Sequence, residues 1–570
     1  MGRLRREQSK LYQKLVTASL ATSLALTAVS TAAYAEVSTG AKSQVTGSSV
    51  NASELVPVRT VAEALGALIE WDEKARAAKV TKGSTVLILK IGEKRATLDG
   101  ATIDVGQIVQ SVNGNMYVPL GFINQTLTSH IGWDNKQNKM IIAADDYAAF
   151  ASSFLKELNQ GNMDEAVTYF GPGLKQKLPP ELLKKIWLGP QYFGHLKQQI
   201  SSQVDKNAVH TNVTLKYAAE KTQVPVEIII RFDKNGLIDD FYIPPILPSV
   251  TFNKPLYDNP TNYEEKEVVI GDGEFALPGT LTMPIGEGSF PVVVLVQGSG
   301  PHDRDSTIGA VKPFRDLAVG LANEKIAVLR YEKVTREHNL KVALNPKFTV
   351  KNETVDDAIR AVEFLKGVKG INPKKIFVAG HSQGGYTIPM MINEDKNHDV
   401  AGTIVLAGPS EKFPDAIVNQ SEELLKRLKS LRKPTDVAEQ SMVMWSNIAK
   451  YVNDPEYSID NLPKEFPIPQ QAYWFFEQRN YNPAEVAKNQ KGPMLVLQGD
   501  NDWQVPIAQF ENWKRSLQNR QDVTYKTYPK VTHLLTEYDG VSTGTDYYQP
   551  SNVPLVIIKD IANWVKNFVL

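Results

Sequence analysis

Ordered by where its apolar residues fall, this chain changes character about halfway along. From about residue 265 onward it carries short, largely apolar runs at 291–296, 326–331, 375–379, 402–407 and 494–498, the first of them continuous. A continuous run of this length suits a strand buried on both faces, as in a parallel sheet. Between two of these runs, 354–366 places Val355, Ala358, Ile359, Val362 and Leu365 on one face at helical spacing. Strands alternating with helices predict an α/β unit, a mostly parallel sheet covered on both sides. One stretch breaks the rhythm. Residues 411–491 read as a helical insertion, with Glu422-Glu423-Leu424-Leu425-Lys426-Arg427-Leu428 followed by Tyr473-Trp474-Phe475-Phe476 and Tyr481.

The first half of the chain has shorter elements and an internal repeat. Leu55-Val56-Pro57-Val58-Arg59 with Ile69-Glu70-Trp71-Asp72 recurs as Tyr117-Val118-Pro119-Leu120-Gly121 with Ile131-Gly132-Trp133-Asp134, shifted by 62 positions (118 − 56 = 62). Each unit reads as a short helix and then a hairpin closing at 78–80 or 140–142, and both tryptophans are expected in the core. Residues 51–144 therefore form a repeat domain of two units. A second module, 145–250, opens with a helix at 147–158 and continues with alternating strands at 213–217 and 226–232. Both modules are read as small α+β domains.

Composition narrows the possibilities. Lys plus Arg equals Asp plus Glu, 63 against 63, and no basic block stands out after the N-terminus, so nothing points to a nucleic-acid partner. Cysteine is absent, which removes disulfides, thiolate metal sites and a cysteine nucleophile. At the N-terminus Arg3, Arg5, Arg6, Lys10 and Lys14 precede an apolar, uncharged stretch that ends in Ala33-Tyr34-Ala35. That pattern is a secretory signal peptide over 1–35, cut after Ala35, with a linker at 36–50. The mature chain is expected to be secreted and extracellular, with association to the cell wall as a further option.

The candidate chemistry lies in the second half. The run at 375–379 leads directly into Gly380-His381-Ser382-Gln383-Gly384. A serine on a sharp strand-to-helix turn has strained backbone dihedrals, and glycines two residues to either side let strand and helix approach. Such a serine needs a histidine to take its proton and a carboxylate to orient that histidine. After Ser382 only His398 and His533 remain. His398 sits in a polar stretch, whereas His533 follows the strand-like 523–527. The strand at 494–498 runs into Gly499-Asp500-Asn501-Asp502-Trp503-Gln504-Val505-Pro506, where Asp502 is the first candidate acid and Asp500 the second. The run at 291–296 breaks into Gln297-Gly298-Ser299-Gly300-Pro301. The amide of Ser299, with Gly300 behind it, pairs with that of Gln383 as a candidate oxyanion hole.

These residues, together with Asp303-Arg304-Asp305 and Arg330-Tyr331-Glu332-Lys333, resemble secreted bacterial α/β-hydrolases of the esterase and dienelactone-hydrolase-like group. The resemblance covers about 265–570 and implies an α/β-hydrolase fold with a helical cap at 411–491. It also implies a Ser382–His533–Asp502 triad acting on a small-molecule ester, with no cofactor and no metal. Members of that group usually carry His-Gly where this chain has Gln297-Gly298, and Arg-Gly where Val334-Thr335 stand, so a differently shaped loop is expected there. Asp303 and Arg304 are expected as an ion pair bracing the oxyanion loop rather than as substrate contacts. The repeat at 51–144 resembles the stalk-type domain named after copper amine oxidase N-termini, and 145–250 resembles cystatin-like or nuclear-transport-factor-like domains. The stalk resemblance implies contact with cell-envelope components. Alternative readings are a peptidase related to prolyl oligopeptidases, an acyltransferase or thioesterase, or a non-catalytic envelope-binding protein.

Overall fold

The computed structural model describes residues 55–568 apart from 65–66, 83–84, 128–130, 135–138, 143–146, 188, 235 and 247–249. The expected signal peptide and linker lie outside the described residues. The chain divides into two compact units, an N-terminal one ending near Ile246 and a C-terminal one beyond it.

In the N-terminal unit the repeat is visible as register. Strand Leu55–Pro57 pairs antiparallel with Asn115–Pro119, placing Val56 opposite Val118, its own counterpart. The hairpin Leu68–Asp72/Ala77–Lys82 sets Trp71 opposite Ala78, and Ile131–Asp134/Lys139–Ile142 sets Trp133 opposite Met140, the same pairing one repeat later. The core is aliphatic, built on Val56, Val61, Val80, Leu87, Leu89, Val118 and Ile123. Trp71 departs from expectation. It lies on the edge strand of a five-stranded sheet, is 43 % exposed, and donates its indole N–H to Glu73 Oε2 at 2.6 Å. An edge strand has a neighbour on one side only, so a side chain on it lacks cover from a second strand.

Next in this unit, helix Tyr147–Gln160 buries Phe150, Phe154, Leu155 and Leu158. Phe150 and Phe154 meet Phe232 and Phe241 of a four-stranded antiparallel sheet, with ring centroids 5.5 and 5.8 Å apart. That sheet comprises Leu196–Lys206, Thr211–Ala219, Val226–Phe232 and Ile238–Tyr242.

The C-terminal unit carries an eight-stranded sheet. Its strands are β1 (Tyr263–Ile270), β2 (Leu277–Pro284), β3 (Phe290–Val296), β4 (Ala327–Tyr331), β5 (Ile371–His381), β6 (Val400–Leu406), β7 (Met494–Gly499) and β8 (Val523–Tyr528). Their spatial order is β1-β2-β4-β3-β5-β6-β7-β8. The pairs β1/β2 and β2/β4 are antiparallel; every later pair is parallel. Alternation along each strand divides the apolar residues between two faces. Val292, Val294 and Val296 join Val378 and Val496 against helix α1 (Asp356–Lys366). On the other face Val293, Leu295, Ala379, Ile404 and Leu497 meet Pro313–Asn323 and the C-terminal helix Leu555–Lys566. Both faces are therefore covered, as the largely apolar runs require.

Between β6 and β7 stand α2 (Phe413–Ser430), α3 (Asp436–Asn453), α4 (Ala472–Glu477) and α5 (Pro483–Ala487). Phe413, Trp445, Ile448, Phe466, Phe475 and Phe476 form a core of their own that also takes in Tyr386. The consecutive aromatics thus fasten the cap to the helical turn after Ser382. Among the described residues no helix is long and apolar enough to cross a membrane.

Candidate active site

Ser382 follows β5 at φ 54° and ψ −117°, a conformation that non-glycine residues rarely hold. The surrounding contacts impose it. A methyl group on Gly380 would lie 2.3 Å from the Gly384 carbonyl, and one on Gly384 would lie 2.4 Å from Val296 O. Strand, turn and helix touch through backbone alone, so only glycine fits at either position. Ser382 itself is half-buried, with its N–H donated to Leu406 O at 2.9 Å.

His533 and Asp502 meet as the sequence suggested. His533 Nδ1 donates to Asp502 Oδ2 at 2.8 Å, which leaves Nε2 on the side of the ring away from the carboxylate. The carboxylate is fixed from every direction. Its Oδ1 accepts from the amides of Gln504 (2.8 Å) and Val505 (2.9 Å), and Oδ2 accepts also from Gln498 Nε2 (3.0 Å). Asp502 is fully buried and His533 nearly so. Asp500 does something else. It is exposed and accepts the Lys530 N–H at 2.7 Å, closing the loop ahead of His533. Gly499 permits the close approach of the two loops, since a methyl there would fall 2.1 Å from Val531 O.

His381 ties this pair to the elbow. It donates from Nε2 to the His533 carbonyl at 2.7 Å, with the two rings 4.6 Å apart. Burial, then the neighbouring His533, push its pKa well below the usual histidine range, so it serves as a neutral strut. His398 stays in its turn at φ 57°, in the stretch between the elbow helices and β6.

The loop after β3 lies against Ser382. A methyl group on Gly298 would sit 3.0 Å from Ser382 Cβ and 3.5 Å from Oγ. Among the described residues the N–H groups of Ser299 and Gln383 donate to no protein acceptor. The loop is held from behind by its carbonyls. His302 Nε2 donates to Ser299 O at 2.8 Å, and Thr335 Oγ1 to Gly300 O at 3.0 Å. Burial and the Lys333 charge lower His302 to about 4, so this contact is a neutral one near pH 7. Gln297, where the resemblance leads one to expect histidine, is buried and donates its side-chain amide to Tyr331 O. Val334–Glu337 form a helical turn, which brings Thr335 to the loop.

Asp303 and Arg304 do not pair with each other. Arg304 reaches Glu332 (2.9 Å) and Glu267 (2.6 Å), while Asp303 accepts the Thr307 N–H at 2.8 Å. In place of the expected Asp303–Arg304 pair, Arg304 pairs with Glu332 and Glu267 and donates to Thr280 Oγ1 at 2.7 Å. Three residues carry site geometry although the sequence assigned them no role. Gln498 is one. Arg427 of α2 is another: its guanidinium donates to the carbonyls of Asn501 (2.9 Å), Asp502 (3.0 Å) and Ser542 (3.1 Å), clamping the acid loop from the cap. Lys333 is the third.

Residues 39–142 match the family described as Copper amine oxidase N-terminal domain. Residues 345–539 match the family described as Serine aminopeptidase, S33. The chain is 30% identical over 435 residues to Esterase EstD of Thermotoga maritima, an alignment that covers 75% of this chain and 96% of that protein. A shorter match, 30% identical over 106 residues, joins 19% of this chain to 32% of a protease inhibitor of Brevibacillus choshinensis. Among solved structures, an esterase of Pyrococcus furiosus aligns with 56% of this chain and 96% of its own at 16% identity, with a TM-score of 0.35.

Proposed function

The chain belongs to the esterase family of α/β-hydrolases that includes Esterase EstD, and from that premise we propose that it cleaves carboxylic esters through an acyl-enzyme on Ser382. It is a carboxylesterase-like hydrolase with small-molecule esters as its substrate class. In the proposed cycle His533 Nε2 takes the Ser382 proton as Oγ bonds to the ester carbonyl carbon. The resulting oxyanion is met by the Ser299 and Gln383 N–H groups. Collapse expels the alcohol, which receives the proton from His533. Water, deprotonated by the same ring, then adds to the acyl-enzyme, and the acid leaves as Ser382 regains its proton. Asp502 keeps the ring in the tautomer that each step needs.

The observation that carries this reading is the strained backbone of Ser382 beside the 2.8 Å His533–Asp502 pair, with two undonated N–H groups next to it. The test is hydrolysis of p-nitrophenyl esters, acetate through decanoate, by the mature chain and by Ser382→Ala. Turnover is expected from the first and a loss of at least about 10⁴-fold from the second. No turnover on any ester, with turnover on peptide p-nitroanilides, would move the assignment to peptidase.

The same reading includes export. The basic N-terminus, apolar stretch and Ala33-Tyr34-Ala35 support cleavage after Ala35 and work outside the cell, with the repeat domain contacting the envelope. N-terminal sequencing of the chain recovered from culture medium is expected to begin at Glu36; an uncut chain retained in the cytosol would refute it.

A further inference from the structure

We infer that Lys333 is the positioning residue of the oxyanion hole, a buried ammonium that aims both backbone donors, with Glu353 as its counter-charge and Trp474 as its link to the cap. The inference rests on the ester-hydrolysis reading above. Lys333 stands two residues beyond the end of β4 and shows 2 % of its surface, unusual for a lysine. Its three N–H bonds are all engaged: with the Gly298 carbonyl, with Gln383 Oε1 at 2.9 Å, and with Glu353 Oε1 at 2.7 Å.

One of those acceptors, Gly298 O, shares a peptide with the Ser299 N–H, and another, Gln383 Oε1, is the side chain of the residue that bears the second N–H. Gly298 C=O and Ser299 N–H are opposite ends of one planar trans peptide, so a donor that fixes the oxygen turns the N–H the other way. Gln383 supplies the second N–H, and its side chain is held by Lys333 and by Thr354 Oγ1 at 3.2 Å. Ammonium, peptide C=O, peptide N–H and developing oxyanion then lie head to tail, each polarising the next.

Glu353 reaches this point from a π-helical turn, Lys351–Val355, which buries Glu353, Thr354 and Val355 together. Wide turns of this kind recur at functional sites. Its other oxygen accepts the indole N–H of Trp474 from α4 at 2.9 Å. Burial pushes the Lys333 pKa down and Glu353 pulls it back. A buried pair of this kind gives little net stability over an apolar pair of the same size. Its placement on residues of both donors gives it a catalytic use instead.

The decisive variant is Lys333→Met with Glu353→Gln, which removes both charges at similar volume. Lys333→Met alone strands a buried carboxylate and is expected to unfold more readily. For the double variant the thermal midpoint is expected to stay within a few degrees of the parent. Its kcat should fall about 10- to 100-fold, a fraction of what losing a whole donor costs. KM should change little. Affinity for an alkylboronic acid, which forms a tetrahedral adduct on Ser382, should weaken by the same factor as kcat. A second pair, Lys333→Leu with Glu353→Gln, also removes both charges and the donor and is read in the same way if the first does not fold. A kcat and boronate affinity within twofold of the parent in a folded pair would overturn the inference while leaving the ester reading intact. No turnover by the unsubstituted chain would overturn the ester reading, and this inference with it.

Discussion

The two sides of Ser382 are held by different physics. On the base side Asp502 is caged by neutral donors, and three of its four partners, Gln498, Gln504 and Val505, lie within four positions of it. On the oxyanion side the loop is held by a buried ammonium whose counter-charge is twenty positions away and whose cap contact is 121 positions from that counter-charge. A cage of neutral, local hydrogen bonds can lose one member and keep its shape. A buried ion pair cannot lose one member without stranding the other. Substitutions on the base side should therefore act on catalysis more than on folding, and single substitutions on the oxyanion side on both.

The sharpest way to press that contrast is Asp502→Asn. The amides of Gln504 and Val505 keep an oxygen to bind, so the fold is expected to hold. The histidine loses the acceptor that sets its tautomer, and kcat should drop about 10³- to 10⁴-fold, as measured by ester hydrolysis beside a thermal melt. A collapse of the melt together with kcat would break the contrast.

A smaller effect is expected where the cap grips the acid loop. Arg427→Leu removes donors from three backbone carbonyls and frees Glu423, its 2.7 Å partner. Unsatisfied carbonyls of this kind cost about 1–3 kcal/mol in stability. Because Asp502 keeps its own four partners, kcat should fall less than about tenfold. A fall as large as that of Asp502→Asn would place the cap, rather than the local cage, in control of the acid.

The same division explains what was readable before folding. Gly380, Gly384 and Gly499 are dictated by backbone contacts at 2.1–2.4 Å, so steric necessity appears as a local pattern around Ser382 and Asp502. The apolar runs were equally legible, because a strand covered on both faces admits few polar residues. Lys333, Glu353 and Arg427 carry charges that a sequence presents as ordinary surface, and only the meeting of distant segments buries the first two and half-buries the third. Asp303 shows the reverse, a charge expected beside Arg304 that caps a turn instead. Strand Leu196–Lys206 escaped notice because it is polar and exposed along almost its whole length, leaving no apolar alternation to find.

The smallest effect on activity should come from a buried carboxylate far from Ser382 in the sequence. Asp316, in helix Pro313–Asn323, accepts the Val553 N–H at 3.0 Å, and burial pushes it up to about 7. The native state thus holds this proton more tightly than the unfolded chain does. Stability from this group is full below about pH 4 and declines as pH rises through 7. In urea unfolding from pH 4 to 8, Asp316→Asn should lose that decline and leave kcat unchanged. An identical pH slope in parent and variant would contradict the assignment.

The central claim, that Ser382 is the nucleophile of an ester hydrolase, is most directly tested by labelling with a fluorophosphonate and mapping the adduct by mass spectrometry. One adduct per chain is expected, on the peptide containing Ser382, with ester turnover falling as labelling rises. An unlabelled Ser382 in a chain that still turns over esters, or an adduct on another residue, would contradict it.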